Sequence, residues 1–299
     1  MTTSILPGTL VSTEWLAEHL DEPGLRIVDM RGYVKSRDVG GGKQEAEYTG
    51  AVDEYDAGHI PGSTYVDWTV DIIDPDSPVK VQIAPPERFA DEMAMRGIGD
   101  DTDVVILDHT GGHFATRLWW ALRYYGHDRA AVLDGGFNKW QREGRPLTIE
   151  PTAPKHATFT PRPRPEIRVG VDEVAELAAG GGDGALIVDA RDAPTYRGEV
   201  YRGSRGGHIP GAVNIPAKSL VNDDGTWKPT EILEQVFAEG GVRPGQRVVP
   251  YCNGGVTATA VIFALHRTGH EEFANYDGSW NEWGERLDLP LETGQPSEG

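Results

Sequence analysis

Cysteine is almost absent from this sequence. The 299-residue chain contains one, Cys252. A single thiol excludes an internal disulfide framework, and it excludes a dithiol redox pair, which needs a second cysteine to resolve the first. Since the chain does not rely on disulfides, we expect a reducing compartment, the cytoplasm.

Positive charge and long apolar runs are also scarce. The chain has 28 Lys and Arg against 47 Asp and Glu, a formal net charge of −19 at pH 7. A chain with this much negative charge repels nucleic acid and anionic lipid. We therefore expect no nucleic-acid partner. No apolar run approaches the roughly 18 residues that indicate a membrane span. The segment Met1–Pro7 lacks the charged and apolar regions of a signal peptide. We therefore expect no membrane association.

The sequence repeats its own motifs in the same order, at a domain-sized period. The paired segments are Ile27–Arg31 with Ile187–Arg191, His59–Gly62 with His208–Gly211, Val104–Asp108 with Val248–Cys252, and Asp134–Trp140 with Asp277–Trp283. The first copy has a longer stretch between Asp29 and His59, rich in Gly and Glu, which we interpret as a surface insertion.

A proline-rich segment separates the two copies. Five prolines fall between residues 151 and 165, a composition typical of a stiff, extended linker. We therefore predict a first domain over 1–150, a linker over 151–165 and a second domain over 166–299. Each predicted domain is long enough to bury its own core.

Short apolar runs alternate with helix-like stretches in both halves, which predicts mostly parallel sheets flanked by helices. The predicted strands are 27–29, 104–107, 131–133, 186–189, 248–251 and a weaker one at 273–276, and the predicted helices are 13–20, 87–95, 114–125, 171–179, 230–239 and 257–268. Sites in such sheets form at the carboxyl ends of strands, and Cys252 follows one of those ends.

The residues after Cys252 predict a loop of backbone amides that leads into a helix. The loop contains Asn253, Gly254, Gly255, Val256, Thr257 and Ala258. Unpaired N–H groups and the positive end of a helix dipole favour an anion, here a nucleophilic thiolate. The alternative is that Cys252 is a small buried hydrophobe with no chemical role.

Four arginines precede the second His-Ile-Pro-Gly motif. They are Arg191, Arg197, Arg202 and Arg205. In a chain this acidic, arginines near a thiolate indicate an anionic substrate. The alternative is that they pair with neighbours such as Asp192 and Glu199 on a solvated face.

Together these motifs resemble those of the two-domain rhodanese-type sulfurtransferases, over nearly the whole chain. Cys252–Ala258 is similar to the Cys-x-x-Gly-Val-Thr-Ala loop of thiosulfate and mercaptopyruvate sulfurtransferases. The resemblance implies an α/β fold of two tandem rhodanese-like domains, the second of them catalytic. Asp108 stands where the second half has Cys252, so the first domain is expected to be non-catalytic.

The resemblance also implies a mechanism. Cys252 would take sulfur from a small anionic donor, thiosulfate or 3-mercaptopyruvate, and hold it as a persulfide. Cyanide, a small thiol or thioredoxin would then accept it, with no metal or organic cofactor. The interdomain cleft would hold the donor through arginines; Arg191 and Arg197 match the family best, and Arg202 and Arg205 lie in a segment that the motifs do not align. His59 and His208 are expected to fix the two His-Ile-Pro-Gly turns by hydrogen bonds, and the alternative for His59 is a substrate-binding role in the cleft, from the first domain.

The loop departs from both kinds of relative. Thiosulfate enzymes often carry a cation inside the loop and mercaptopyruvate enzymes a serine at its second variable position, whereas this chain has Asn253 and Gly254. The arginine cluster slightly favours thiosulfate as the donor.

Three other functions fit this sequence less well. A rhodanese-like phosphatase needs arginine where this chain has Ala258. A metal site at His109 and His113 lacks an evident third ligand. A sulfur carrier or scaffold without catalytic turnover remains the alternative to an enzyme.

Overall fold

Five parallel strands form the sheet of the first half. The computed structural model describes residues 3–294. The elements are β1 (Leu10–Val11), α1 (Thr13–Glu18), β2 (Leu25–Asp29), β3 (Gly32–Gly40), β4 (Lys43–Gly50), α2 (Val52–Ala57), β5 (Ser63–Tyr65), α3 (Pro86–Met95), β6 (Asp103–Leu107), α4 (Ala115–Tyr124), β7 (Ala130–Leu133) and α5 (Gly136–Arg142). The sheet order is β1-β7-β6-β2-β5. Its central strand β6 is buried throughout, as expected of a sheet covered on both faces.

The second half repeats this arrangement. Its elements are β8 (Arg168–Val169), α6 (Val171–Ala178), β9 (Leu186–Asp189), α7 (Ala193–Tyr196), β10 (Val213–Asn214), α8 (Thr230–Glu239), β11 (Val248–Tyr251), α9 (Ala258–Arg267), β12 (Asn275–Tyr276) and α10 (Ser279–Trp283), with 3₁₀ turns at Pro165–Ile167 and Ala217–Leu220. Strands β10-β9-β11 and β12-β8 pair in parallel, and a bridge from Val248 to Phe273 joins the two groups. The resulting order, β8-β12-β11-β9-β10, matches that of the first half and confirms two tandem α/β domains.

One hydrophobic cluster of buried residues spans both halves, and each half has a smaller cluster of its own. Helices α4 and α9, which occupy equivalent positions in the repeat, pack across the boundary. The hydroxyls of Thr116 and Thr259 lie 3.0 Å apart there. Beside them, Trp119 meets Phe263 edge to face with ring centroids 5.0 Å apart. Among residues 3–294, no helix combines the length and apolar character that crossing a bilayer requires.

The insertion between Asp29 and His59 is an antiparallel hairpin, β3–β4, that reaches the second half. The Gln44 N–H donates to the Tyr201 carbonyl at 2.8 Å, and the Tyr201 N–H donates to Gly42 at 2.9 Å. The sequence predicted a surface excursion but not this contact, because nothing local to the hairpin identifies its partner.

The proline-rich segment is extended and docked on the first half. Residues 151–164 contain no helix or strand. The Ala157 N–H donates to the Ala94 carbonyl at 3.0 Å, the Arg162 N–H donates to Tyr125 at 2.9 Å, and Phe159 is buried. Residues 1–2 and 295–299, at the ends of the predicted domains, lie outside the described residues.

The loop after β6 folds around the buried carboxylate of Asp108. Its Oδ1 accepts hydrogen bonds from the N–H groups of Thr110 at 2.8 Å and Gly112 at 2.9 Å. Its Oδ2 accepts from Phe114 at 2.7 Å and Ala115 at 2.9 Å. The loop and the first turn of α4 therefore form an anion cradle, and this side chain fills it.

Replacing Phe263 by alanine tests the shared core. We expect Phe263→Ala to destabilise the protein by about 3 to 5 kcal/mol, because it removes a buried ring between the halves. Calorimetry should show one unfolding transition before and after the change. Ile149→Ala, at a side chain 68% exposed, should have little effect. Two separate transitions in the wild type would contradict a common core.

Replacing Asp108 by asparagine tests the filled cradle. An asparagine side chain keeps one acceptor oxygen but turns an NH₂ group towards two amide donors. We expect Asp108→Asn to lower the free energy of unfolding by about 3 kcal/mol, given charge-assisted bonds of about 1.5 to 3 kcal/mol each. Urea denaturation measures this, with the exposed Asp38→Asn as control. A loss no greater than the control's would show that the carboxylate is dispensable.

Candidate active site at Cys252

Cys252 comes directly after β11, at the carboxyl edge of the second sheet. It is a free thiol, and the residue is 3% exposed. A cavity of about 180 Å³ lies beside it. Its walls are mostly apolar and come from both halves, and they comprise Val34, Tyr48, Trp68, Val81, Phe114, Arg202, Cys252, Asn253, Gly254, Val256 and Thr257.

Helix α10 holds the start of the Cys252 loop from outside. The Cys252 carbonyl accepts a hydrogen bond from the Trp280 N–H at 3.0 Å, and the Asn253 carbonyl accepts from Asn281 at 2.7 Å. The Cys252 N–H donates to the Ser279 hydroxyl at 3.1 Å. These bonds fix the first two peptide planes of the loop.

The Gly255 carbonyl is held by two side chains. It accepts a hydrogen bond from Arg117 Nη1 at 3.1 Å and one from Asn275 Nδ2 at 3.0 Å. In a planar trans peptide the C=O and the following N–H point in opposite directions. Tying the carbonyls outward therefore turns the N–H groups of Asn253, Gly254 and Val256 towards the other side of the loop.

Those N–H groups differ from their counterparts in the first half. In the described region, residues 3–294, the N–H groups of residues 253–258 donate no hydrogen bond to a protein acceptor. The equivalent groups around Asp108 donate four bonds to its carboxylate. Since buried N–H groups are rarely left without an acceptor, the second loop is suited to an anion carried on Cys252.

The space around position 254 requires a glycine there. A Cβ built there would overlap Val81 Cγ2. Val81, from the first half, has φ +59°, a conformation that costs a β-branched residue roughly 1 to 2 kcal/mol. Gly255 has φ +69°, and a Cβ there would come within 2.6 Å of the Asp277 carbonyl oxygen. The wall from the first half therefore leaves no room for the Cβ of a serine at position 254.

Arg191 is built into the domain interior. Its Nη2 lies 2.6 Å from Asp189 Oδ2 and donates to the Gly207 carbonyl at 2.7 Å. Arg31 pairs with Asp29 in the same way in the first half. This repeated ion pair secures each Asp-x-Arg turn, and Arg191 also lines the cavity that adjoins the one beside Cys252.

Arg197 and Arg205 also have other partners. Arg197 pairs with Glu199 at 2.6 Å. Arg205 donates to the carbonyls of Trp283 at 2.9 Å and Leu289 at 2.8 Å. Neither lines the Cys252 cavity, whereas Arg202 does. Of the four predicted arginines, the fold brings Arg202 alone to this cavity.

His59 does not line the Cys252 cavity, so the geometry favours the expected turn role over the alternative of a role in the cleft. Its Nδ1 is 2.8 Å from the Tyr55 carbonyl oxygen and its Nε2 is 3.1 Å from that of Glu150. The ring stacks on Tyr55 with centroids 4.0 Å apart. His208 stacks on Tyr196 equivalently, so both histidines secure turns. Within residues 3–294, no three His, Cys, Asp or Glu side chains cluster as a metal site would require.

Two charged residues at this site were missed from the sequence. Arg117 and Asp277 form an ion pair at 2.7 Å and are almost fully buried. Arg117 belongs to the first half but holds the loop of the second. Two signals were available: a guanidinium in the mostly apolar stretch Ala115–Leu122, and the alanine at the matching position, Ala260.

Comparison with known proteins agrees with this geometry. Residues 12–143 and 171–286 each match the rhodanese-like domain family. The sulfur carrier protein TtuD of Thermus thermophilus is 35% identical, over 97% of this chain and 98% of its own. The 3-mercaptopyruvate sulfurtransferase of Escherichia coli is 35% identical over 94% and 97%, and the thiosulfate sulfurtransferase of Gallus gallus is 33% identical over 93% and 94%.

A solved structure shares the whole architecture. The E. coli enzyme SseA, described as having the rhodanese fold of 3-mercaptopyruvate sulfotransferases, superposes with a TM-score of 0.78 at 33% identity, covering 91% of this chain and 98% of its own. These matches confirm the resemblance seen in the motifs. The chain therefore belongs to the rhodanese family of sulfurtransferases.

Proposed function

We propose that Cys252 is the residue that carries sulfur in this sulfurtransferase, as a persulfide. The observation that carries the proposal is the loop of amides around Cys252, which lack a protein acceptor among residues 3–294. A thiolate or a persulfide anion would supply that acceptor. Preorganised donors of this kind stabilise charge without reorganising during the reaction.

The reaction proceeds in two half-reactions. The Cys252 thiolate attacks the sulfur of the donor, a Cys–S–S⁻ group forms, and the bond between that sulfur and the rest of the donor breaks. With thiosulfate, sulfite leaves. With 3-mercaptopyruvate, the C–S bond breaks and the proton of the donor thiol ends on the methyl carbon of pyruvate. An acceptor then attacks the outer sulfur and releases the Cys252 thiolate.

The cavity favours an organic donor with one carboxylate. Its walls are largely apolar, and Arg202 is the one charged residue that lines it within the described chain. A larger cavity of about 330 Å³ adjoins it, lined in part by Arg191, Arg202, Lys218 and His113. The charge of Arg191 is balanced by its ion pair with Asp189. Burial lowers the pKa of His113, so its ring is neutral at pH 7. We therefore propose 3-mercaptopyruvate over thiosulfate, reversing the preference that the arginine cluster indicated.

The proposal also includes the sulfur acceptor and the cellular compartment. A small thiol, cyanide or thioredoxin would remove the sulfur, and a reducing compartment such as the cytoplasm would keep Cys252 as a thiol between cycles. One relative is named as a sulfur carrier. The alternative function is therefore transfer of sulfur to a partner, without catalytic turnover of small-molecule substrates. Steady-state kinetics separates these, because a carrier consumes one equivalent of donor and stops.

Replacing Cys252 by serine tests the nucleophile. Since a serine hydroxyl is far less ionised and cannot hold sulfane sulfur, Cys252→Ser should abolish transfer. Intact-protein mass after incubation with donor should show one added sulfur on the wild type and none on the variant. Thermal melting confirms folding of both. Sulfur retained by a folded Cys252→Ser protein would refute the assignment.

Replacing Arg202 by glutamine tests donor binding. We expect wild-type kcat/KM to be higher for 3-mercaptopyruvate than for thiosulfate. Arg202→Gln should raise the KM for 3-mercaptopyruvate about tenfold or more, because it removes a charge-assisted contact of about 1.5 to 3 kcal/mol. Arg197→Gln is the matched control, since Arg197 pairs with Glu199 outside the cavity. Equal effects of both changes would rule out a specific contact.

A further inference from the structure

We propose that Arg117, in the half that lacks a cysteine, is a positioning residue for the sulfur-carrying loop. The proposal rests on the proposed function of Cys252. Arg117 does not touch Cys252, and it does not line the Cys252 cavity. It acts through the Gly255 carbonyl, and so through the N–H of Val256 on the same peptide plane.

A single guanidinium joins the loop to the wall that faces it. Arg117 is 1% exposed. Its Nη1 donates to the Gly255 carbonyl at 3.1 Å, and its Nη2 donates to the Val81 carbonyl at 3.0 Å. Val81 is the residue that packs against Gly254. The planar fork of Arg117 therefore fixes the spacing between the loop and the first-half wall of the Cys252 cavity.

Asp277 holds the guanidinium in place. Its Oδ1 is 2.7 Å from Arg117 Nη2, and its Oδ2 is 3.0 Å from Arg168 Nη2. The same Oδ2 accepts a hydrogen bond from the Ile83 N–H at 3.0 Å. Asp277 thus balances the buried charge of Arg117 and ties the 81–83 segment of the first half to the second sheet.

The position of Arg117 in the repeat supports a specialised role. The equivalent residue of α9 is Ala260, so the second half supplies no counterpart to the first-half loop. The two halves have therefore diverged in opposite senses. The first half has a carboxylate in place of the thiol and carries the guanidinium that orders the other half's amides, which is why we expect the first half to be required for sulfur loading.

The experiment compares Arg117→Lys with Arg31→Lys. Arg31 is an equally buried arginine, paired with Asp29, in the same half and absent from the Cys252 cavity. A lysine keeps the charge but cannot span both carbonyls. We expect Arg117→Lys to slow single-turnover persulfide formation with 3-mercaptopyruvate at least tenfold, with donor KM within twofold. Alkylation of Cys252 by iodoacetamide at pH 6 should slow in parallel.

The Arg31→Lys control separates an effect on loop positioning from an effect on the stability of the fold. Arg31→Lys should lower the melting temperature but leave both rates within twofold of the wild type. Equal loading rates for Arg117→Lys and Arg31→Lys would overturn the proposal, as would a loss confined to donor KM. A wild type that acquires no sulfur would instead refute the proposed function of Cys252.

A second variant covers the case in which Arg117→Lys does not fold. Asn275 donates the other hydrogen bond to the Gly255 carbonyl, and Asn275→Ala leaves the ion pair between Arg117 and Asp277 intact. We expect it to slow persulfide formation and alkylation together, by a smaller factor and again without a change in donor KM. Unchanged rates in a folded Asn275→Ala protein would contradict control of the loop through this carbonyl.

Discussion

The backbone carbonyls around Cys252 are anchored outwards, and this anchoring sets the direction of the loop N–H groups on which the active site relies. Because a peptide group is planar, each anchored carbonyl turns the next N–H towards the opposite side of the loop. Helix α10 anchors two carbonyls, and Arg117 and Asn275 anchor a third. The site therefore draws on backbone dipoles, which stay in place while charge moves between thiolate and persulfide.

Duplication followed by divergence explains the division of labour. Both halves build the same strand, loop and helix, and both loops present amide groups. In the first half the Asp108 carboxylate fills its own cradle, so that loop is closed to substrates and stabilises the fold. In the second half Cys252 is too short and too weakly polar to do so. The first half instead supplies Val81, Arg117 and the β3–β4 hairpin around the other's thiol.

The sequence predicted elements and motifs better than it predicted partners. Apolar periodicity placed strands such as Leu186–Asp189 and Val248–Tyr251, because buried parallel strands need continuous apolar runs. It also put Cys252 at a strand end. The positions of the arginine side chains were less predictable, since ion-pair partners are set by tertiary packing: of the four, Arg202 lines the cavity beside Cys252 and Arg191 lines the adjoining one. The contact between the β3–β4 hairpin and Tyr201 could not be predicted for the same reason, because Tyr201 is distant from the hairpin in sequence.

The most direct test is to observe the loop amides while Cys252 changes its charge. Correlated ¹H–¹⁵N spectra of labelled protein, recorded before and after loading with one equivalent of sulfur, report hydrogen bonding at each N–H. We predict that the largest downfield proton shifts fall on residues 253–258, while the amides around Asp108 stay unchanged. Shifts spread over both halves, or absent from residues 253–258, would contradict the amide cradle as the group that holds the sulfur anion.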